Sequence, residues 1–171
     1  MIPERLPFPI GLAVAGLAVA ACAALGGAFT SRSVRDWYPV LPKPAWTPGG
    51  RVIAAVWTVL FALIALAAAL VWSESLDVRF TSALALNLVL NVLWSWLFFA
   101  RRWPSAALAD LFVLEVTCIA LAALAWRISP AAGALLLPYV LWVAFAGALN
   151  GAIVRLSPGR RRAGGPPRGR P

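Results

Sequence analysis

Five uninterrupted apolar stretches dominate the hydropathy pattern, at residues 7–29, 52–72, 80–99, 105–126 and 131–154. Each can cross a hydrocarbon core of about 30 Å, which takes roughly 20 helical residues. They lack the alternation of apolar and polar positions that a barrel strand requires. Only helices and closed barrels satisfy every backbone amide in a bilayer, so the pattern predicts five transmembrane helices. Breaks at 73–79, 100–104 and 127–130 are only a few residues long, which implies antiparallel neighbours packed side by side. The expected fold is all-α: a polytopic five-helix bundle over residues 1–156.

The break between the first two stretches is different in kind. Residues 37–48 hold Pro39, Pro42, Pro44 and Pro48 together with Trp37, Tyr38 and Trp46. Four prolines fix φ, remove amide donors and push the preceding residues toward extended backbone, so neither helix nor ladder strand is expected. Tryptophan and tyrosine favour the membrane–water boundary. A flexible linker would be rich in Gly and Ser. The segment reads as a stiff lid, with Trp37, Pro44, Trp46 and Pro48 as its framework.

Composition supports the membrane reading. Of 171 residues 62% are hydrophobic and only 12% charged, and the mean hydropathy is +0.84. Soluble chains carry about a quarter charged residues. With no histidine, a His/Cys metal site, a histidine-dependent triad and axial His ligation of haem are all ruled out. Nothing in the sequence favours a disulfide between Cys22 and Cys118.

The net charge of +9 is localised. With five spans, Arg5, Arg79 and Arg127 fall on one side; the other twelve basic residues, including five in the tail, fall on the opposite side. The positive-inside rule then predicts a cytoplasmic lid and C-terminus, with the N-terminus outside. Residues 157–171 are rich in Arg, Gly and Pro and are expected to form a disordered basic tail. Its expected role is a topology anchor at anionic lipid rather than nucleic-acid binding. Val19-Ala20-Ala21-Cys22 resembles a lipoprotein cleavage box. The apolar run continues past it to Phe29, however, so a retained first helix is expected.

Polar groups inside a membrane segment generally face the bundle interior. Asn87, Asn91, Trp94 and Phe98 recur at spacings of four, three and four on the third helix. The two amides suit either interhelical hydrogen bonding or ligand contact. Asp110 and Glu115 are about 140° apart around the fourth helix, too far to act as one acid–base pair. Asp110, near the helix end, could stay hydrated; Glu115 lies deeper and has no assigned role. On the fifth helix, Gly147 and Gly151 form a GxxxG that serves either dimerisation or internal packing. Trp57, Asn91, Trp94 and Trp142, with Tyr38, Trp37 and Trp46 from the lid, predict an aromatic, mostly apolar cavity suited to a flat amphipathic ligand.

These motifs carry a family resemblance. Trp37-Tyr38-x-x-Leu41-x-Lys43-Pro44-x-Trp46-x-Pro48 resembles the first-loop signature of the tryptophan-rich sensory protein / translocator protein family, also called the peripheral-type benzodiazepine receptor family. Val56-Trp57-Thr58, Asn91-x-x-Trp94-x-x-x-Phe98-Phe99, Asp110 and Pro138-Tyr139-x-x-Trp142-x-x-Phe145-x-x-x-Leu149-Asn150 follow in the family's order, over about residues 8–157. The resemblance implies five helices around a pocket capped by the first loop, commonly in a homodimer. It also implies binding of tetrapyrroles such as protoporphyrin IX and of synthetic benzodiazepine-type ligands, with no required cofactor. Pocket roles would pass to Tyr38, Trp57, Asn91 and Trp142, with Asp110 lining the same cavity. Some bacterial members degrade porphyrin in light, and the tryptophans concerned match Trp57 and Trp142, which are the catalytic candidates.

The sequence departs from the family pattern in places. Gly49 stands where a second proline is usual, Asn87 replaces a typical glutamine, and Glu115 is an unexpected charge. The tyrosine of the animal sterol consensus is absent after Asn150, where Gly151-Ala152-Ile153-Val154-Arg155 follows. Three functions remain open: a tetrapyrrole-binding sensor or regulator, a light-dependent porphyrin-degrading enzyme, or a carrier of hydrophobic ligands. A purely structural role is the bland alternative. The Ala/Arg/Gly/Pro bias suggests a GC-rich bacterial genome and hence a bacterial cell membrane.

Overall fold

The computed structural model describes residues 4–157. It contains five helices: α1 (Phe8–Asp36), α2 (Gly50–Glu74), α3 (Val78–Ser95), α4 (Pro104–Ile128) and α5 (Pro130–Leu156). A five-residue π-helical turn, Trp96–Ala100, continues α3 to its end. Counting α3 with that turn, all five are long and apolar enough to cross a membrane. The protein is an integral membrane five-helix bundle. Of the basic tail expected from residue 157, only Ser157 is described; the rest lies outside the described residues.

Local signals set the helix starts. Asp77 caps α3 by accepting the Phe80 amide at 2.7 Å. Pro104 and Pro130 open α4 and α5 at the first helical position, where the missing N–H has no helical partner to lose. α1 runs seven residues beyond the expected Phe29. Its last two turns carry Ser31, Arg32, Ser33 and Arg35, too polar for a hydropathy window but free of breakers. Ser33 anchors that extension by donating its buried hydroxyl to the Phe99 carbonyl.

The helices form a ring in the spatial order α1, α2, α5, α4, α3, closing back on α1. One expectation fails here. α2 and α3 are joined by only three residues, yet they meet chiefly at their linked ends, where the Trp72 indole donates to Thr81 Oγ1 at 3.0 Å. Elsewhere α1 stands between them and contacts both. A short connection constrains the ends of two helices, not the angle at which they diverge, and burying the small-residue face of α1 decides that angle.

α1 and α2 pack closely at the end away from the lid. Gly11 lies so near Ala69 that an added Cβ would sit 3.4 Å from its Cα. Ala65, Ala67, Ala68 and Ala69 are all buried nearby. Small residues let membrane helices approach and gain dispersion contact where the hydrophobic effect gives no drive. The α4–α5 corner is tighter still. A Cβ on Gly133 would lie 2.8 Å from the Trp126 Cα, so only glycine fits that turn.

Candidate ligand cavity

Between the helix ring and the first loop lies a cavity of about 710 Å³. Its volume falls within the roughly 300–1,000 Å³ of small-molecule sites. Tyr38, Trp57, Asn91, Trp94 and Trp142 all line it, so the structure brings five of the six expected ligand-binding residues together. Trp57 lies against Phe61 with ring centroids at 5.4 Å and meets Tyr139 edge-on at 6.3 Å. Trp94 stacks on Phe98 at 5.4 Å, and Trp142 tilts over Phe145 at 5.2 Å. The wall therefore consists of braced rings. The indole N–H groups of Trp94 and Trp142 are buried and have no hydrogen-bond acceptor.

Asp110 is the exception. It does not line the cavity, and both carboxyl oxygens are buried without a hydrogen-bond partner. Its carboxyl is also shielded from bulk solvent, with only 7% of the residue's surface exposed. Leu111, next to it in sequence, and Leu114, one turn on, do reach the cavity wall. Asp110 lies one helical turn nearer the end of α4 than Leu114, on the stripe that starts at the fully buried Ala107.

The lid divides its aromatics among three environments. Trp37 is buried against Phe98, edge-on at 5.6 Å, and anchors the loop instead of contacting ligand space. Tyr38 faces the cavity and meets Phe99 at 5.8 Å. Trp46 is half exposed, meets Phe145 edge-on at 5.7 Å, and with Pro44 borders a separate hollow on the outside of α4 and α5. The expectation that Trp37 and Trp46 join the cavity wall is thus corrected. Side chains in an irregular proline-rich loop follow no common face, so sequence position could not assign them.

A lysine pins the loop. Lys43 Nζ donates to the carbonyls of Tyr38, Pro39 (3.3 Å) and Leu41 (3.1 Å) and lies 4.5 Å above the Tyr38 ring. The prolines remove amide donors from this segment, and the lysine supplies donors of its own. The loop turns again where Thr47 bonds the Pro44 carbonyl through its amide at 3.1 Å and its hydroxyl at 2.7 Å. Partial burial of Tyr38 pushes its phenol pKa above the ordinary value of 10.0.

Beneath the aromatic wall lies a polar network that sequence reading gave only in part. Tyr139, 1% exposed, donates its hydroxyl to Asn87 Oδ1 at 2.9 Å and accepts from Asn91 Nδ2 at 3.1 Å. Asn87 Nδ2 donates to Thr117 Oγ1 at 2.9 Å and to Cys118 Sγ at 3.3 Å. The two amides therefore tie α3 to α4 and α5. Asn91 has both roles open to it from sequence, since it also lines the cavity. Asn150 sits at the lid end and donates to the Pro104 carbonyl at 2.7 Å, linking α5 to the start of α4.

Sequence reasoning missed the contribution of α1. Cys22, Gly26 and Thr30 line the cavity at every fourth position. The signal was present, as a stripe of small residues inside an apolar run, but nothing in it separates cavity wall from helix packing. Cys22 and Cys118 are both buried free thiols. The GxxxG pair is also resolved in part. A Cβ on Gly147 would meet nothing within 4 Å, and one on Gly151 would only touch Leu108 at 4.0 Å, so internal packing does not require either glycine.

Known proteins share much of this sequence. The sequence profile of the TspO/MBR family matches residues 14–156. The chain is 38% identical over 143 residues to the tryptophan-rich protein TspO of Archaeoglobus fulgidus, covering 82% of this chain and 93% of that protein. It is 32% identical over 145 residues to protein CrtK of Rhodobacter capsulatus, covering 82% and 91%. It is 37% identical over 147 residues to the translocator protein of Sus scrofa, covering 80% and 86%. With five apolar helices around a loop-capped aromatic cavity and a family match over nearly all the described residues, the chain belongs to the TspO/MBR family.

Proposed function

We propose that the protein binds a tetrapyrrole of the protoporphyrin IX type in this cavity and acts as a sensor or regulator of porphyrin or stress metabolism. The observation that carries the proposal is the cavity of about 710 Å³ lined by Tyr38, Trp57, Trp94 and Trp142. Flat conjugated ligands gain from stacked and edge-on ring contacts, each worth about 0.5–1.5 kcal/mol beyond area burial. The setting we propose is a bacterial cell membrane, with the lid cytoplasmic and the protein a homodimer.

A second reading, light-dependent porphyrin breakdown, draws on Trp57 and Trp142 as oxidisable indoles lining the same cavity. A carrier is the weaker alternative, because five spans give no even inverted repeat for alternating access.

One cuvette separates these readings. Detergent-purified protein is titrated in the dark with protoporphyrin IX while tryptophan fluorescence is followed, and the same sample is then illuminated. Saturable quenching that is lost in Trp142→Ala is the expected result; quenching unchanged by that substitution would remove the site assignment. Bleaching on illumination that disappears in Trp57→Phe would establish chemistry in the pocket, whereas a constant pigment spectrum favours sensing.

A further inference from the structure

We propose that the cavity admits its ligand sideways from the bilayer, through a slit between α1 and α2 on the lid side. The proposal deepens the reading above by assigning the route to the same site.

The two helices behave differently along their length. At the end away from the lid, Gly11, Ala15 and Val19 of α1 are buried, as is most of α2 from Leu60 to Trp72. Toward the lid α2 is less covered: none of its residues before Leu60 is buried. Each helix instead leans on a different neighbour. α1 is held to the α3 side by Ser33 on the Phe99 carbonyl, and by Gly26, where an added Cβ would come within 3.2 Å of Ser95 Oγ. α2 leans on α5 through Trp57 and Tyr139.

The gap that results has a regular edge on both sides. Ala23, Gly27 and Ser31 recur every four residues on α1, and Gly50, Ala54 and Thr58 do so on α2. All six line the cavity and all six are exposed, as residues at the rim of an opening would be. A Cβ on Gly27 or on Gly50 would meet nothing within 4 Å, so these glycines are not there for close packing. From residue 23 to 34 the edge rises about 16 Å along α1. Much of it lies within apolar helix, where the surrounding medium is acyl chain rather than water.

The chemistry of the edge fits an apolar passage. Ser31 donates its hydroxyl to the Ala28 carbonyl at 3.2 Å, Thr58 to Ala54 at 2.9 Å and Thr30 to Gly26 at 2.7 Å. Every hydroxyl proton along the slit is spent within its own helix, leaving no free donor to hold water or to trap a ligand in transit. The lid adds the complementary barrier: Lys43 and the prolines fix it over the aqueous end of the cavity. A hydrophobic molecule already dissolved in the membrane meets the slit first.

The test uses the full chain in lipid nanodiscs with a small apolar diazirine that partitions into bilayers. After a flash of ultraviolet light, labelled positions are mapped by peptide mass spectrometry. Leu149, a half-buried residue of the cavity wall on α5, reports the interior; Val59, 58% exposed on α2, reports the lipid face. Both should be labelled in the wild type. Gly27→Leu and Ala54→Leu should each cut Leu149 labelling by at least about fivefold and leave Val59 unchanged, because they raise a steric barrier at the slit. Unlabelled Leu149 in the wild type, as when a second copy covers the slit, would overturn the proposal, and so would labelling that both variants leave intact. Protoporphyrin IX supplies a second readout: the variants should slow association and dissociation together, each by roughly tenfold, with Kd held within about twofold. If protoporphyrin does not bind the wild type, the proposed function fails, and the diazirine result still decides the route.

Discussion

Tyr139→Phe isolates the buried network from everything around it. The substitution keeps the ring, and with it the packing on Trp57, but removes the hydroxyl that joins Asn87 and Asn91. Two hydrogen bonds disappear, and their partners have no water to turn to at a residue that is 1% exposed. Hydrogen bonds between membrane helices average about 0.6 kcal/mol and reach about 1.7, so the pair contributes on the order of 1–3 kcal/mol. For a chain of this length each kcal/mol moves Tm by about 2–4 °C, which gives an expected fall of roughly 2–12 °C. The assay is thermal unfolding in detergent followed by circular dichroism, with wild type and variant at equal concentration. Asn91→Leu removes one of the same bonds, so the double variant should lose less than the sum of the two single losses. A Tm within about 1 °C of wild type, or strictly additive losses, would refute the claim that this triad holds α3 to α5.

Three further perturbations follow from the geometry. Gly133→Ala forces a Cβ to within 2.8 Å of backbone and side chain at Trp126, so the α4–α5 corner must open; overpacking of this kind costs about 1–3 kcal/mol, to be read as a lower Tm in the same melt. Lys43→Met strips the lid carbonyls of their donor, and amide hydrogen exchange across residues 38–49 should quicken while α4 and α5 are unchanged; equal protection in both proteins would show that the prolines alone hold the loop. The raised pKa of Tyr38 means its phenol keeps its proton in the folded protein at pH values where the unfolded chain has lost it. Its contribution is therefore complete below pH 10.0 and is lost as pH rises through the folded value. An alkaline stability titration should fall less steeply in Tyr38→Phe than in the wild type.

Five spans, their approximate limits, the capping loop and the cavity's tyrosine and tryptophans were legible in the sequence. The reason is that a bilayer imposes a length and an apolar composition on every crossing segment, and both can be read one segment at a time. Aromatic residues at helical spacing then mark a face, so Trp57, Asn91, Trp94 and Trp142 could be grouped before any helix was placed. Three kinds of fact had no such signature. The insertion of α1 between α2 and α3 depends on how small-residue faces fit, and glycine and alanine look alike in a hydropathy pattern whether they pack, line a cavity or border a slit. Asp110 has the same character at its position whichever neighbour it faces, and only the assembled ring turned it away from the cavity. Trp37, Tyr38 and Trp46 lie in a loop without a period, so their separation into anchor, wall and outer surface waited on tertiary contacts. The membrane's one-dimensional demand is written along the chain; which face meets which neighbour is decided only when five helices compete to bury their closest-packing surfaces.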